Sequence, residues 1–243
     1  MSQGKNKKAA PFWQTISIAL IVISILMMLP MAVIRPASDS QYVAGLFEQH
    51  AQTQALVVGT KDYPVLAEGL SDYLFGKAET AQITVEKNGL QSPAFSEDEL
   101  THLADVRGLF RLANIVFYGG VVLLIISGLL TAASSSWQPR HVLRQFINHA
   151  IKGILVCMLV LLIVVILASI NFHQAFYVMH QLLFTNDLWL LNPQTDLLLM
   201  LMPEPFFIAY AKDAGLRRGV VLLGAFLALF AARHFTRVRK ALS

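Results

Sequence analysis

Lys152–Ile170 reads KGILVCMLVLLIVVILASI, and after Lys152 it contains no charge. A run of roughly 20 apolar residues matches the hydrocarbon core of a bilayer, and it lacks the alternating polar face of a soluble helix or strand. The rest of the chain supports the same class. Of 243 residues, 56% are hydrophobic and only 14% are charged. Three further stretches have the length and apolarity to span, so the predicted spans are Phe12–Ile34, Ala113–Ala133, Ala150–Ile170 and Gly219–Phe235. The first follows a basic KNKK but is longer than the apolar core of a signal peptide, and it reads as a retained anchor. Cys157, the single cysteine, lies inside the quoted run and reads as a buried small residue. The net charge of +4 does not point to nucleic acid, because the basic residues flank the apolar runs.

Charge sets the expected orientation. Lys5, Lys7, Lys8, Arg140, Arg144, Lys152, Arg233, Arg237, Arg239 and Lys240 fall on one side of four spans, and every Asp and Glu falls on the other. Lys and Arg near span ends favour the cytoplasm, so both termini and the SSWQPRHVLRQF loop are expected there. Arg217 and Arg218 sit on the opposite side, where they fit lipid phosphates. The expected plan is residues 1–34 as tail and first span, 35–112 as an extracytoplasmic cap leading into the second span, and 113–170 as the second and third spans. An extracytoplasmic interfacial segment at 171–218 and a last span with a basic tail at 219–243 complete it.

Within the cap, QTQALVVGTKDYPVLAEGLSDYLFG has a β-like stretch and then a helix ended by glycine. In TAQITVEKNGLQSPAF an Asn-Gly pair between short alternating runs predicts a small hairpin. Ser96 with Glu99 makes a capping box, so SEDELTHLADVRGLFRLANIV is predicted to be one helix entering the second span. The fold class is therefore an all-α membrane protein of four transmembrane helices with an extracytoplasmic cap. The segment after Ile170 is as apolar as a span but is broken by Asn-Asp, Asn-Pro and Pro-Glu-Pro, which fits interfacial or re-entrant helices.

On the helix of the capping box, Glu99, His102 and Val106 share a face, and Asp98 and Asp105 lie within a turn of His102. A solvated helix end has the same composition, but His102 sits where the helix descends toward the membrane with carboxylates within one turn. His173 and His180 are seven apart on the later segment, where Trp189 and Tyr210 suit interfacial anchors. No G-x-S-x-G, H-E-x-x-H or phosphate-binding glycine loop is present, and neither His102 nor His180 has an aspartate five positions on. A metal held by His102, Asp105, His173 and His180 would support a membrane hydrolase. A non-enzymatic subunit or sensor is the other alternative. Two imidazoles that take a proton from one substrate group and return one to another would support acyl transfer with no protein nucleophile.

Two blocks, FSEDELTHLADVRGLF at Phe95–Phe110 and FYVMHQLLFTNDLWLLNPQTDLLLMLMPEPFF at Phe176–Phe207, resemble the signature blocks of the lipoprotein intramolecular transacylase family. The shared pattern is an acidic stretch, His, two residues and Asp-Val. It is followed later by a histidine, Asn-Asp-x-Trp, Pro-x-x-Asp and Pro-Glu before aromatic residues. The resemblance implies a bacterial cytoplasmic-membrane enzyme acting on diacylglyceryl-modified lipoprotein, among membrane lipids and without a cofactor. It would move the sn-2 acyl chain to the α-amine of the N-terminal cysteine and leave a lyso form. It carries the catalytic pair over to His102 and His180, at the outer leaflet. His180 is expected as base and His102, with Asp105, as the second group; Arg107, Asn186, Asp187 and Trp189 are supporting candidates. His173 fits no position of the pattern.

Overall fold

A computed structural model describes residues 9–52, 58–87, 89–134 and 139–241. In chain order the elements are α1 (Ala9–Ile34), a 3-10 turn, α2 (Ser40–His50), a second 3-10 turn, α3 (Tyr63–Leu74) and the strands β1 (Thr84–Lys87) and β2 (Leu90–Pro93). There follow α4 (Glu97–Ser134), α5 (Pro139–Ile170), α6 (Phe172–Leu183), α7 (Leu197–Leu201) and α8 (Glu204–Ala241). Four of these helices, α1, α4, α5 and α8, are long and apolar enough to cross a membrane, as the sequence predicts. Their outer faces carry exposed large apolar residues such as Ile115, Val122, Leu159, Leu162 and Val220, the surface that lipid requires.

The helix ends differ from the apolar limits. α8 starts at Glu204, fifteen residues before the predicted span at Gly219, and α5 starts at Pro139. Each has proline in its first turn, where the missing N–H costs nothing. Lys212, Asp213, Arg217 and Arg218 lower the hydropathy of the first turns of α8 without breaking its backbone ladder. The segment 171–218 is therefore α6, an irregular stretch, α7 and the opening turns of α8.

The backbone divides into two compact units. One comprises the residues up to Pro30, Ile115–Val165 and those from Arg217 onward; the other comprises Met31–Asn114 and Ile166–Leu216. In the first, small residues bring helices close. A Cβ on Gly120 would meet the Ser24 carbonyl oxygen at 2.8 Å, and one on Gly153 would meet Ile21 Cγ2 at 2.8 Å. Ser17, Ser127 and Thr131 are fully buried there, with Ser17 Oγ 2.9 Å from Ser127 Oγ and 2.6 Å from Thr131 Oγ1. His149 Nδ1 lies 3.3 Å from Ser17 Oγ, so α1, α4 and α5 share one hydrogen-bonded knot. Cys157 is buried as expected, its thiol facing the Val22 carbonyl at 3.9 Å.

The second unit has a core of Phe47, Tyr63, Leu66, Val85, Leu201 and Phe206. The hairpin pairs Thr84 with Pro93 and Lys87 with Leu90, and Gly89 takes φ +82, a left-handed turn position that suits glycine. The expected β-like stretch before α3 falls mostly at 53–57, outside the described residues; Val58 pairs with Lys87 as an isolated bridge. Gly76, at φ +80, ends α3 as predicted. Tyr210 OH donates to the carbonyls of Val33 (2.9 Å) and Ile34 (3.2 Å), so this expected interfacial anchor also closes the end of α1.

Gly120→Val is expected to lower the unfolding temperature of the detergent-solubilised protein by several degrees, since overpacking against backbone costs about 1–3 kcal/mol. Gly128→Ala, where nothing lies within 4 Å, is expected to leave it unchanged.

Candidate active site

α4 begins where the sequence places it. Ser96 N donates to Glu99 Oε2 at 2.7 Å, and Glu99 N donates to Ser96 Oγ at 3.3 Å, a complete capping box. One turn later His102 is buried, 8% exposed, beside Leu103. Asn171 caps α6, its Oδ1 accepting from Gln174 N at 3.0 Å, and the last turn of α6 buries His180, also 8% exposed. The two imidazole centroids are 6.2 Å apart.

Aromatic rings surround the pair. Phe176 (4.3 Å between centroids), Trp189 (5.0 Å) and Phe184 (5.5 Å) pack on His180, and Phe184 also packs on His102 at 5.2 Å. Phe207 of α8 backs Phe176 at 4.8 Å. His180 Nδ1 is 2.8 Å from the Phe176 carbonyl oxygen. A carbonyl only accepts, so Nδ1 carries the proton and Nε2 keeps its lone pair. Burial pushes the His180 imidazole below its ordinary range, opposed by the bond to Phe176. The resting ring is therefore neutral near pH 7, the form a base needs.

The supporting candidates separate. Asp105 Oδ2 accepts from Asn186 Nδ2 at 2.8 Å, and Asn186 Oδ1 accepts from Leu188 N at 3.1 Å. This carboxylate, expected to support His102, thus ties α4 to the loop after α6. Arg107 lies over the Tyr73 ring at 4.5 Å and donates to the Glu79 carbonyl at 3.3 Å, contacts with the α3 region. Asp187 is exposed, and its carbonyl closes a turn to Leu190 N at 3.0 Å. His173 is exposed and 3.3 Å from Glu204. Among the described residues no three of His, Cys, Asp and Glu converge as a metal site. Sequence reasoning did not single out Phe176 and Phe184, although both stand four residues from His180, the spacing that stacks side chains on one helical face. It placed Glu99 in the cap and on the face of His102, and Glu99 Oε1 also accepts from Leu198 N at 2.7 Å, a contact it did not foresee.

Against known proteins, the profile of the family described as lipoprotein intramolecular transacylase Lit matches residues 15–207. The chain belongs to this family. It is accordingly a multi-pass membrane acyltransferase acting on lipoproteins. The membrane-integral Lit of Bacillus cereus aligns over 97% of this chain and 99% of its own, with a TM-score of 0.61 at 18% identity. Two structures of that protein with one histidine replaced by arginine or alanine align at TM-scores of 0.53 and 0.54, with 18% and 20% identity. They cover 99% and 97% of this chain and 96% of their own. At these identities the likeness establishes the Lit fold. None of the curated proteins matches the sequence.

The folded state resists protonating His180, whereas the unfolded chain takes up that proton near the ordinary value of about 6.5. Unfolding temperature is therefore expected to hold above that pH and to fall as the pH drops below it. Burial lowers His102 in the same way, to about 4, so His180→Phe should reduce that part of the slope in a thermal-unfolding series while the His102 contribution remains.

Proposed function

We propose that His102 and His180 are the catalytic pair of an intramolecular acyl transfer in which the sn-2 acyl chain of a diacylglyceryl lipoprotein moves to the α-amine of its N-terminal cysteine. The observation that carries the reading is the convergence of these two buried histidines to 6.2 Å in a chain of the transacylase family. An α-amine, with an ordinary pKa of about 7.7–8.0, is mostly protonated near neutrality and must lose a proton to attack. The free lone pair on His180 Nε2 suits that task. The amine nitrogen then bonds to the ester carbonyl carbon, the bond from that carbon to the glyceryl oxygen breaks, and the oxygen leaves with a proton. Two protons leave the nitrogen, one released before attack and one after the new bond forms, and the departing oxygen takes up one of them while the other is released to solvent, so no acyl-enzyme and no protein nucleophile is required. His102, whose Nδ1 is buried without a protein partner, is the second group, for the oxyanion or the departing oxygen. Amine and ester belong to one molecule, and their proximity supplies much of the rate.

The aromatic surround supports a site for lipid, because it excludes water around the histidines, while the Asp105–Asn186 pair supplies polar groups on α4 and the loop after α6. The distribution of Lys and Arg supports the bacterial cytoplasmic membrane with both termini in the cytoplasm, 35–112 and 171–218 outside, and the site at the outer leaflet.

The test is mass spectrometry of a lipoprotein N-terminal peptide from cells that lack other lipoprotein N-acylation and express this protein as wild type, His102→Ala or His180→Ala. N-acyl, S-monoacylglyceryl cysteine is expected with the wild type, with at least a hundredfold loss in each variant at equal expression. An unchanged diacylglyceryl peptide with the wild type, or product from either variant at wild-type levels, would overturn the reading.

A further inference from the structure

We infer that Glu99 is a positioning residue for His102, holding the imidazole in register by tying the first turn of α4 to the first turn of α7. The inference rests on the reading of His102 as catalytic. Glu99 is 2% exposed, and both of its carboxylate oxygens are engaged, Oε2 by Ser96 N and Oε1 by Leu198 N, each at 2.7 Å. Both donors lie at helix starts, where amides are otherwise unpaired and the helix dipole favours negative charge. α7 is itself fixed, since Leu197, Leu198 and Leu201 are core residues and the Met200 carbonyl accepts from Gln52 N at 2.9 Å.

The two histidines differ in how they are held. The His180 ring has its own tether, Nδ1 to the Phe176 carbonyl. His102 Nδ1 is buried with no hydrogen-bond partner in the protein, so its place depends on packing and on where α4 sits. Two links bracket it along α4: Glu99 to Leu198 three residues before, and Asp105 to Asn186 three residues after. Asn186 is exposed, and water competes for the second link. Glu99 is buried with both oxygens accepting backbone N–H groups away from water, and it carries most of the hold.

Two substitutions separate this role from capping. In Glu99→Gln the side-chain oxygen still satisfies Ser96 N, as glutamine does in a capping box, but its NH2 then faces Leu198 N–H, donor against donor. In Ser96→Ala the bond to Glu99 N is lost while both carboxylate bonds remain. With purified proteins and a synthetic diacylglyceryl lipopeptide, Glu99→Gln is expected to lower kcat about tenfold or more with KM within about twofold, because small misplacements cost large factors in rate. Ser96→Ala is expected to keep wild-type kcat with a similar loss of unfolding temperature. Glu99→Asp, too short to reach both amides, repeats the test if Glu99→Gln does not fold, and the same fall in kcat is expected. A folded Glu99 variant with kcat within twofold of wild type, an equal loss in Ser96→Ala, or failure of both Glu99 variants to fold would overturn the positioning role. His102→Ala in the same assay separates the two readings. Full activity there overturns the two-histidine chemistry itself, whereas an inactive His102→Ala beside an active Glu99→Gln overturns only the role of Glu99.

Discussion

A carboxylate taken out of water needs compensation, and Glu99 finds it in backbone amides. Much else in the second unit follows from that arrangement. The first turn of α4 is capped, the start of α7 is fixed against it, and the apolar residues of α7 join Phe47, Tyr63 and Leu66 in one core. Amides at helix starts carry only partial positive charge, so the Glu99 side chain is held by backbone donors and not by a lysine or arginine. An arginine there would have brought a full cation within a turn of His102 and disfavoured any protonated intermediate of that ring.

The aromatic packing around His180 addresses a different problem. A base that must be neutral at rest and cationic for an instant benefits from surroundings that exclude water yet tolerate a transient positive charge. Phe176, Trp189 and Phe184 lie within 6 Å of the ring, where aromatic quadrupoles attract a cation. Burial works against the charged form of His180 and the rings work for it, with the net direction toward the neutral imidazole.

Local signals in the sequence survived into the structure where the physics is local. The Ser96–Glu99 capping box, the Asn-Gly hairpin with Gly89 at positive φ, the glycine stop at Gly76 and the four apolar spans were all legible. So were the residues of the histidine pair, although their convergence rested on a family resemblance and not on spacing. Apart from the rings of Phe176 and Phe184, four residues from His180, the contacts that sequence reading missed join distant parts of the chain. Leu198 is 99 residues from Glu99, and Asn186 is 81 residues from Asp105. No periodicity records such pairings. The early start of α8 was hidden for another reason: hydropathy reports where lipid is, whereas a helix ends only where its backbone ladder ends.

The hydroxyl knot of Ser17, Ser127, Thr131 and His149 bears on how the protein is made. α1 enters the membrane before α4 and α5 have been synthesised, so Ser17 reaches the bilayer ahead of its partners. Serine and threonine in a helix bridge that interval by bonding the carbonyl one turn back, as Thr131 still does to Ser127 and Ser24 does to Leu20. When the later helices are in place, the hydroxyls of Ser17, Ser127 and Thr131 bond one another across the helix contacts. The knot thus adds a directional polar contact to the close packing at Gly120 and Gly153, and the two together are satisfied by the same helix rotation.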